Sequence, residues 1–285
     1  MKKIFINKNK QLRSGWKISL VLTLSFMIIT GLFYILRPLI EGNSLFLIMG
    51  IIQSIVFIKI ILVMWKLLDK KPFSDMGLTP IRGNYKQLVI GLVCGMLSMS
   101  IVFLVLLMIG DIKLENSILA PNFHPTILIY LLLFTLVGFN EELFSRGYCM
   151  TVLKQTGNKW VVLLGSSLIF SVLHINNPNI ELIGLLNIFL IGLLFAYMFI
   201  RTGSIWMPIG YHITWNFFQG NIFGFEVSGL DVLSVYNNKL IRSNFINGGL
   251  FGPEGGLLVT LIIIIGFVFV YFITINKGAK NEFFN

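Results

Sequence analysis

Long uninterrupted apolar runs constrain this chain more than any other feature of its sequence. The clearest is LLVTLIIIIGFVFVYFITI at residues 257–275, which contains no charged side chain. An α-helix needs about 20 apolar residues to cross the hydrocarbon core of a bilayer, whereas the strands of a membrane barrel alternate between apolar and polar residues. Because this run does not alternate, it predicts a membrane-spanning helix.

The composition of the whole chain agrees with a membrane protein. Of 285 residues 56% are hydrophobic, the mean hydropathy is +0.85, and only 12% are charged, about half the share in soluble proteins. The net charge of +10 comes from residues between the apolar runs, which is where membrane topology places them. We therefore predict a lipid bilayer as the partner and no nucleic acid. Cys94 and Cys149 lie far apart in or beside apolar segments, which predicts free thiols.

Eight apolar runs predict an all-α, polytopic membrane bundle of about eight transmembrane helices. The first run follows a basic stretch and lacks a small-residue cleavage site, so we interpret it as a retained anchor. The predicted spans are 18–36, 45–65, 88–110, 126–146, 160–175, 181–200, 203–219 and 256–275.

The lysine and arginine residues between these spans predict the orientation. If the spans alternate, 16 of them fall on one side and 4 on the other, and the positive side faces the cytoplasm. Both termini are then cytoplasmic, and the long segment 220–255 lies outside. We divide the chain into transmembrane helices 1–3 at residues 1–113 and a second unit with helices 4–8 at residues 114–280. The larger set is Lys2, Lys3, Lys8, Lys10, Arg13, Lys17, Lys66, Lys70, Lys71, Arg82, Lys86, Lys154, Lys159, Arg201, Lys277 and Lys280, and the smaller is Arg37, Lys113, Lys239 and Arg242.

The stretch FNEELFSRGY places three ionisable residues at the predicted end of the fourth span. Glu142 and Arg146 are four residues apart with the acid first, so they share a helix face and form a pair. Glu141 points about 100° away and has no partner at helical spacing. Such a carboxylate suits a general base. The alternative interpretation is a polar cap on the span.

Two further polar motifs lie in later spans. FSVLH ends at His174, one helical turn after Phe170, and HITWN places His212 and Asn216 on one face. Alone, the first histidine is typical of a helix end, and the His/Asn pair could simply join two helices. Together with the glutamates, these side chains are those of a hydrolytic site. A carboxylate takes a proton from water, imidazoles orient the water or bind zinc, and an N–H donor stabilises the oxyanion.

The three motifs EELFSR, FSVLH and HITWN, in that order on membrane helices, resemble the CPBP family. This family contains the CAAX-protease and bacteriocin-processing (Abi) intramembrane proteases, related to the Rce1-type prenyl-protein endopeptidase. The resemblance covers residues 120–220. The stretch NGGLFGPEGG at 247–256 also resembles bacterial members, and residues 1–110 resemble nothing beyond membrane spans. HExxH and GxSxG are absent from the sequence, so it matches neither zincins nor serine hydrolases.

The resemblance implies a role for each motif residue. Glu141 would be the general base that activates water, and His174 would hold that water or ligate a metal. His212 and Asn216 would stabilise the oxyanion or provide the remaining metal contacts. The Glu142 pair with its arginine would shape the site.

The cofactor and the depth of the site stay open at this stage. Glu141, His174 and His212 are the candidate ligands of a zinc ion, and a metal-free glutamate mechanism is an equal alternative. The predicted spans place Glu141 toward the cytoplasmic half and His174 toward the outer half. The three side chains therefore meet only if the fourth and fifth spans are longer, tilted or offset.

The predicted function is an intramembrane metalloendopeptidase in a bacterial plasma membrane. Its substrate would be a membrane-associated peptide or protein, such as a lipidated peptide or a bacteriocin leader, and its setting bacteriocin processing or self-immunity. One alternative is a non-catalytic scaffold that regulates a sensor or a secretion partner. Another is a transporter, which the absence of paired broken helices in the sequence disfavours. The oligomeric state is left open.

Overall fold

The computed structural model describes residues 2–7, 9–40 and 44–275, most of which are helical. Two short strands, β1 (Ile112–Leu114) and β2 (Asn238–Leu240), pair antiparallel. The predicted all-α polytopic bundle is confirmed, with this small sheet added in its loops. The α-helices in the described part are α1 Lys2–Phe5, α2 Ser14–Leu36, α3 Ser44–Met64, α4 Ile81–Met108, α5 Ile127–Glu142, α6 Met150–Leu153, α7 Lys159–Val172, α8 Leu182–Thr202, α9 Trp206–Phe217 and α10 Leu257–Thr274.

Six helical segments of the described residues are long and apolar enough to cross a membrane. The predicted spans 160–175 and 203–219 correspond to the shorter helices α7 and α9, of 14 and 12 residues. Helix α9 continues through a π-helical turn, Phe218–Ile222. The chain therefore has about eight helices of the predicted kind, two of them short. The six long segments are Ser14–Leu39, Leu45–Asp69, Phe73–Met108, Ile127–Thr156, Leu182–Thr202 and Leu257–Thr274.

The predicted end of the fourth span at residue 146, and the loop 147–159 after it, are wrong. Helix α5 continues through the π-helical turn Leu143–Cys149, α6 and the 3-10 turn Lys154–Thr156, which gives a 30-residue segment. Glutamate and arginine did not end the helix because they pair inside the bundle. The break comes at Gly157, whose φ is +68°, and at Asn158, whose side-chain oxygen accepts a hydrogen bond from the amide of Trp160 at 2.9 Å.

Side-chain contacts join helix ends that the predicted topology places on one side of the membrane. Lys17 at the start of α2 pairs with Asp69 beyond α3. Arg201 at the end of α8 donates to the carbonyl oxygen of Thr274 at the end of α10, at 2.8 Å. The assignment of this side of the membrane to the cytoplasm stays a prediction. Three lysines of the larger set, Lys8, Lys277 and Lys280, lie outside the described residues. Further bonds at this end join Gln155 to Leu12 and Thr79 to Ser204.

The long segment 220–255 folds back onto the bundle. Its strand β2 pairs with β1, which follows α4. Asp111, beside that strand, is buried and accepts hydrogen bonds from Asn244 at 2.8 Å and Asn247 at 2.9 Å. Arg242 pairs with the other oxygen of Asp111 at 3.2 Å. One buried carboxylate therefore holds this segment against the end of α4.

Helix α9 lies in the centre of the bundle because glycines let its neighbours approach closely. A Cβ at Gly91 of α4 would collide with the carbonyl oxygen of Met207, and one at Gly210 of α9 would collide with that of Leu88. Small residues at such crossings are typical of membrane helix pairs. On another side, Gly138 of α5 faces α9. This packing places the third motif in the middle of the protein.

Candidate active site

A buried ion pair joins the first motif to its surroundings. The guanidinium of Arg146 donates to Glu142 Oε1 at 2.9 Å and to the carbonyl oxygen of Gly192 in α8 at 3.1 Å. Its carbon Cζ lies 4.4 Å from the ring centre of Phe170 and 5.1 Å from that of Phe195. Both charged side chains are at most 1% exposed. Arg146 therefore compensates the charge of Glu142 and connects the fourth span to α7 and α8.

Both motif histidines are held through the same ring nitrogen. Nδ1 of His174 lies 2.8 Å from the carbonyl oxygen of Phe170, and Nδ1 of His212 lies 3.1 Å from Glu142 Oε1. Carbonyl and carboxylate oxygens only accept hydrogen bonds, so each Nδ1 carries the proton in the neutral imidazole. Each Nε2 then presents a lone pair. Phe170 thus contributes its backbone as well as its ring to the site.

The two Nε2 atoms converge on Glu141. Each lies 3.8 Å from Glu141 Oε2. This oxygen is buried and has no hydrogen-bond partner among the described residues. A separation of 3.8 Å is too long for a direct hydrogen bond but fits a bridging water molecule. Two lone pairs and one carboxylate oxygen therefore surround a place for a small polar molecule.

The corrected fourth span explains how these side chains meet. Glu141 is the 15th of its 30 residues, so it lies midway along the segment and not at its end. Helix α7 ends at Val172 and the chain turns at once, which keeps His174 beside the centre of the bundle. The expected mismatch in depth arose because the predicted fourth span was too short.

The site opens into a cavity of about 1140 Å³. Asn216, one turn after His212, is buried and lines it. Helices α2 and α3 supply an apolar wall, although the sequence linked neither of them to the site. The polar side chains of the inner wall are Asn140, Glu141, Ser145, His174, Asn177, Asn187, His212, Asn216, Ser228 and Glu254.

Several residues around the site escaped the sequence analysis. Phe195 and Gly192 lie in α8, which carries no motif and no ionisable residue near its centre. Glu254 lies in the glycine-rich stretch whose resemblance gave it no role. Its position as an acid in NGGLFGPEGG is the signal that could have identified it. Asn187 in α8 was detectable as a polar residue inside an apolar span.

The donor types around Glu141 suit zinc, since two imidazoles and a carboxylate form a known zinc ligand set. The arrangement is wider than a formed metal site. Within the described ranges, no group of three or more His, Cys, Asp and Glu side chains is placed to hold a metal ion. The set thus fits the metal by chemistry, and the side chains would have to close by a few tenths of an ångström around it.

One comparison with known proteins bears on this site. The family described as Type II CAAX prenyl endopeptidase Rce1-like matches residues 123–218, which contain all three motifs. Neither the curated proteins nor the solved structures gave a match. The resemblance that the three motifs indicated is thereby confirmed. The segment that builds the site is similar to the Rce1-like family of CAAX prenyl endopeptidases over these 96 residues.

Proposed function

We propose that this protein is an intramembrane endopeptidase that hydrolyses a peptide bond with water activated by Glu141. One observation carries the proposal. Glu141 Oε2 lies 3.8 Å from the Nε2 atoms of both His174 and His212, inside a cavity within the helical bundle. A water molecule at this place would donate one hydrogen bond to Glu141 and one to an imidazole Nε2. The Rce1-like match supports peptide hydrolysis as the reaction.

The reaction begins with the bridging water. Glu141 takes one proton, an imidazole Nε2 accepts a hydrogen bond from the other O–H, and the water oxygen attacks the carbonyl carbon of the scissile bond. The buried amide of Asn216 donates to the oxyanion that forms. Glu141 then returns the proton to the leaving nitrogen as the C–N bond breaks.

The geometry supports a role for His212 in holding the water. The family resemblance gives it a share in stabilising the oxyanion, but this would require a proton on Nε2. Its Nδ1–H already donates to Glu142, so a neutral ring has only a lone pair at Nε2. Glu142 therefore acts on the reaction by orienting His212, and Arg146 acts by holding Glu142 in place.

A zinc ion, where one binds, would be held by Glu141, His174 and His212 and would lower the pKa of a bound water. The Nε2 lone pairs would then bind the ion, so the hydrogen bond from the water to Nε2 belongs to the metal-free form. Glu142 and the backbone of Phe170 fix the two imidazoles, which is the usual task of residues behind metal ligands and catalytic histidines. Activity measured after zinc is removed and then restored distinguishes a zinc-dependent from a metal-free mechanism.

The cavity supports a substrate that comes from the bilayer. Its volume of about 1140 Å³ slightly exceeds the range of ordinary ligand sites, about 300–1,000 Å³. Its wall is mostly apolar, and helices α2, α3 and α5 supply half of the lining residues. Such a space suits an apolar peptide segment or a lipidated chain end. The proposed setting is a bacterial plasma membrane, with bacteriocin processing or self-immunity as the proposed role.

The test compares cells that carry the wild-type protein, Glu141→Gln or Glu226→Gln. Glu226 is an acid of the outer segment and is not part of the cavity wall, so Glu226→Gln is the matched control. We expect Glu141→Gln to lower cleavage by about 10²–10⁴-fold, the usual contribution of a general base. Mass spectrometry of membrane and secreted peptides then identifies products that are missing with Glu141→Gln alone.

The alternatives give different results in the same experiment. A non-catalytic scaffold would show the same peptides and the same phenotype with all three proteins, which would refute the proposal. The activity of the purified protein, measured after treatment with a chelator and again after addition of zinc, shows whether the reaction depends on zinc. Activity that is lost and then restored indicates zinc, and unchanged activity indicates the metal-free mechanism.

A further inference from the structure

Glu254 is a second carboxylate on the wall of the cavity that contains Glu141. Its Oε1 accepts a hydrogen bond from the indole N–H of Trp215 at 3.2 Å. Its Oε2 accepts from Ser228, at 2.9 Å from the backbone nitrogen and 2.7 Å from the hydroxyl oxygen. The backbone is also held, because Asn187 donates to the carbonyl oxygen of Glu254 at 2.8 Å. The carboxylate is therefore fixed in position.

The charge of Glu254 is not compensated by the protein. Its three donors are neutral, and none of the ion pairs formed by the described residues includes it. Glu142, by contrast, pairs with Arg146. Among the described residues that line the cavity there is no lysine or arginine. Because the described lining of the cavity offers no cation, a positive charge that pairs with Glu254 would have to come from a bound molecule.

Glu254 lines the same cavity as the proposed reacting atoms. Trp215, its donor, lies between His212 and Asn216 on α9 and lines the same cavity. A group bound to Glu254 therefore lies in the cavity that contains the proposed active site. Each carboxylate oxygen can accept two hydrogen bonds, and Oε1 accepts one from Trp215, so it retains capacity for a ligand.

We propose that Glu254 determines specificity by binding a positively charged group of the substrate in the cavity that contains the proposed active site. The group is an ammonium or a guanidinium, from a lysine or arginine side chain or from a free amino terminus. The substrate is thus a peptide with one cationic group among apolar neighbours, since the rest of the wall is mostly apolar. This inference rests on the proposed endopeptidase function.

The first experiment measures binding without cleavage. Protein with Glu141→Gln is reconstituted in lipid vesicles and titrated with an apolar peptide that contains one lysine, and with the same peptide containing norleucine instead. We expect the lysine peptide to bind about 10-fold more tightly, as one charge-assisted hydrogen bond would provide. Adding Glu254→Gln should remove this preference, whereas adding Glu226→Gln should preserve it. Free and acetylated amino termini on the norleucine peptide distinguish the two sources of positive charge.

The second experiment measures cleavage. With Glu141 intact, Glu254→Gln should raise KM about 10-fold for the cationic peptides and leave kcat nearly unchanged, while a merely structural role would lower kcat for every peptide. Glu254→Lys should reverse the charge preference. Equal binding of charged and neutral peptides, or an equal preference with and without Glu254, overturns the inference. Cleavage that persists with Glu141→Gln would instead refute the endopeptidase proposal, so the two failures are distinguishable.

Discussion

The first two spanning helices and the two central ones are all long and apolar enough to cross a membrane but differ in their enclosure by protein. In the spans Ser14–Leu39 and Leu45–Asp69, 17% of the residues in the most apolar window are buried, against 50% in Ile127–Thr156 and Leu182–Thr202. The central pair holds Glu142, Arg146 and the carbonyl oxygen that receives the arginine. The outer pair faces lipid with one side and the cavity with the other.

This difference shows where the bundle can hold charge. Lys59 lies well inside α3 yet is exposed, so its long side chain can reach the membrane surface. Arg146 is enclosed and depends on Glu142, Gly192 and two aromatic rings. The outer helices therefore form a wall of the cavity and need no internal polar network. The central helices require such a network because their charges cannot reach water.

The largest effect should come from removing the enclosed cation. Arg146→Met leaves Glu142 buried without a partner, so we expect the free energy of unfolding to fall by about 3–5 kcal/mol. Lys59→Met should change it by less than about 0.5 kcal/mol, as surface substitutions usually do. Unfolding in mixed micelles with increasing denaturing detergent measures both. Adding Glu142→Gln to Arg146→Met should restore part of the loss, because the uncompensated charge is then removed. Equal effects at positions 59 and 146 would contradict the comparison.

The fold could be predicted from the sequence where polarity marked a boundary. All eight helices appeared as apolar runs, and the i, i+4 spacing of Glu142 and Arg146 indicated their pair. The fourth span was cut short because the same residues look like a helix end when their partners are unknown. Only the tertiary structure shows that Gly192 and Phe195 complete the environment of the arginine.

The site could be predicted in part for a similar reason. The motifs identified the imidazoles and the glutamate, because polar residues inside apolar runs are conspicuous. The roles of the two imidazole nitrogens depend on the atoms that face Nδ1, which no spacing reveals. Glu254 and the cavity wall of α2 and α3 reach the site from distant parts of the chain. The catalytic roles themselves stay predictions until the Glu141→Gln experiment is done.

A smaller loss of stability should show whether α4 belongs with the outer helices or with the central ones. The sequence grouped this helix with the first two spans, in residues 1–113, but it packs directly on α9 through Gly91. Gly91→Ala would push a methyl group into the backbone of Met207, so we expect a loss of about 1–3 kcal/mol in unfolding free energy, typical of overpacking. Activity should fall with it, because α9 carries His212 and Asn216.

Gly83 is the matched control on the same helix. A Cβ there has no neighbour within 4 Å, so Gly83→Ala should be neutral or stabilise the helix by up to about 1 kcal/mol. Thermal unfolding of both variants in one detergent gives the comparison. If Gly91→Ala behaves like Gly83→Ala, then α4 is only loosely attached and groups with the outer helices.

The smallest effect should come from the contact that fastens the outer pair. Lys17 and Asp69 form an ion pair at one end of α2 and α3, where Lys17 is buried, and the hydroxyl of Tyr148 in the fourth span lies 3.4 Å from the carbonyl oxygen of Lys17. Farther along α2 and α3, the cavity separates these helices from the central ones. Lys17→Met should lower the unfolding free energy by about 1–2 kcal/mol, because a charge-assisted hydrogen bond is lost, and the double variant with Asp69→Leu should recover part of this. The cleavage assay should show a raised KM with kcat retained, because the substrate wall is loosened while Glu141 and its imidazoles keep their places. A fall in kcat without a change in KM would mean that the outer helices support the reacting groups directly, and the division between wall and core would fail.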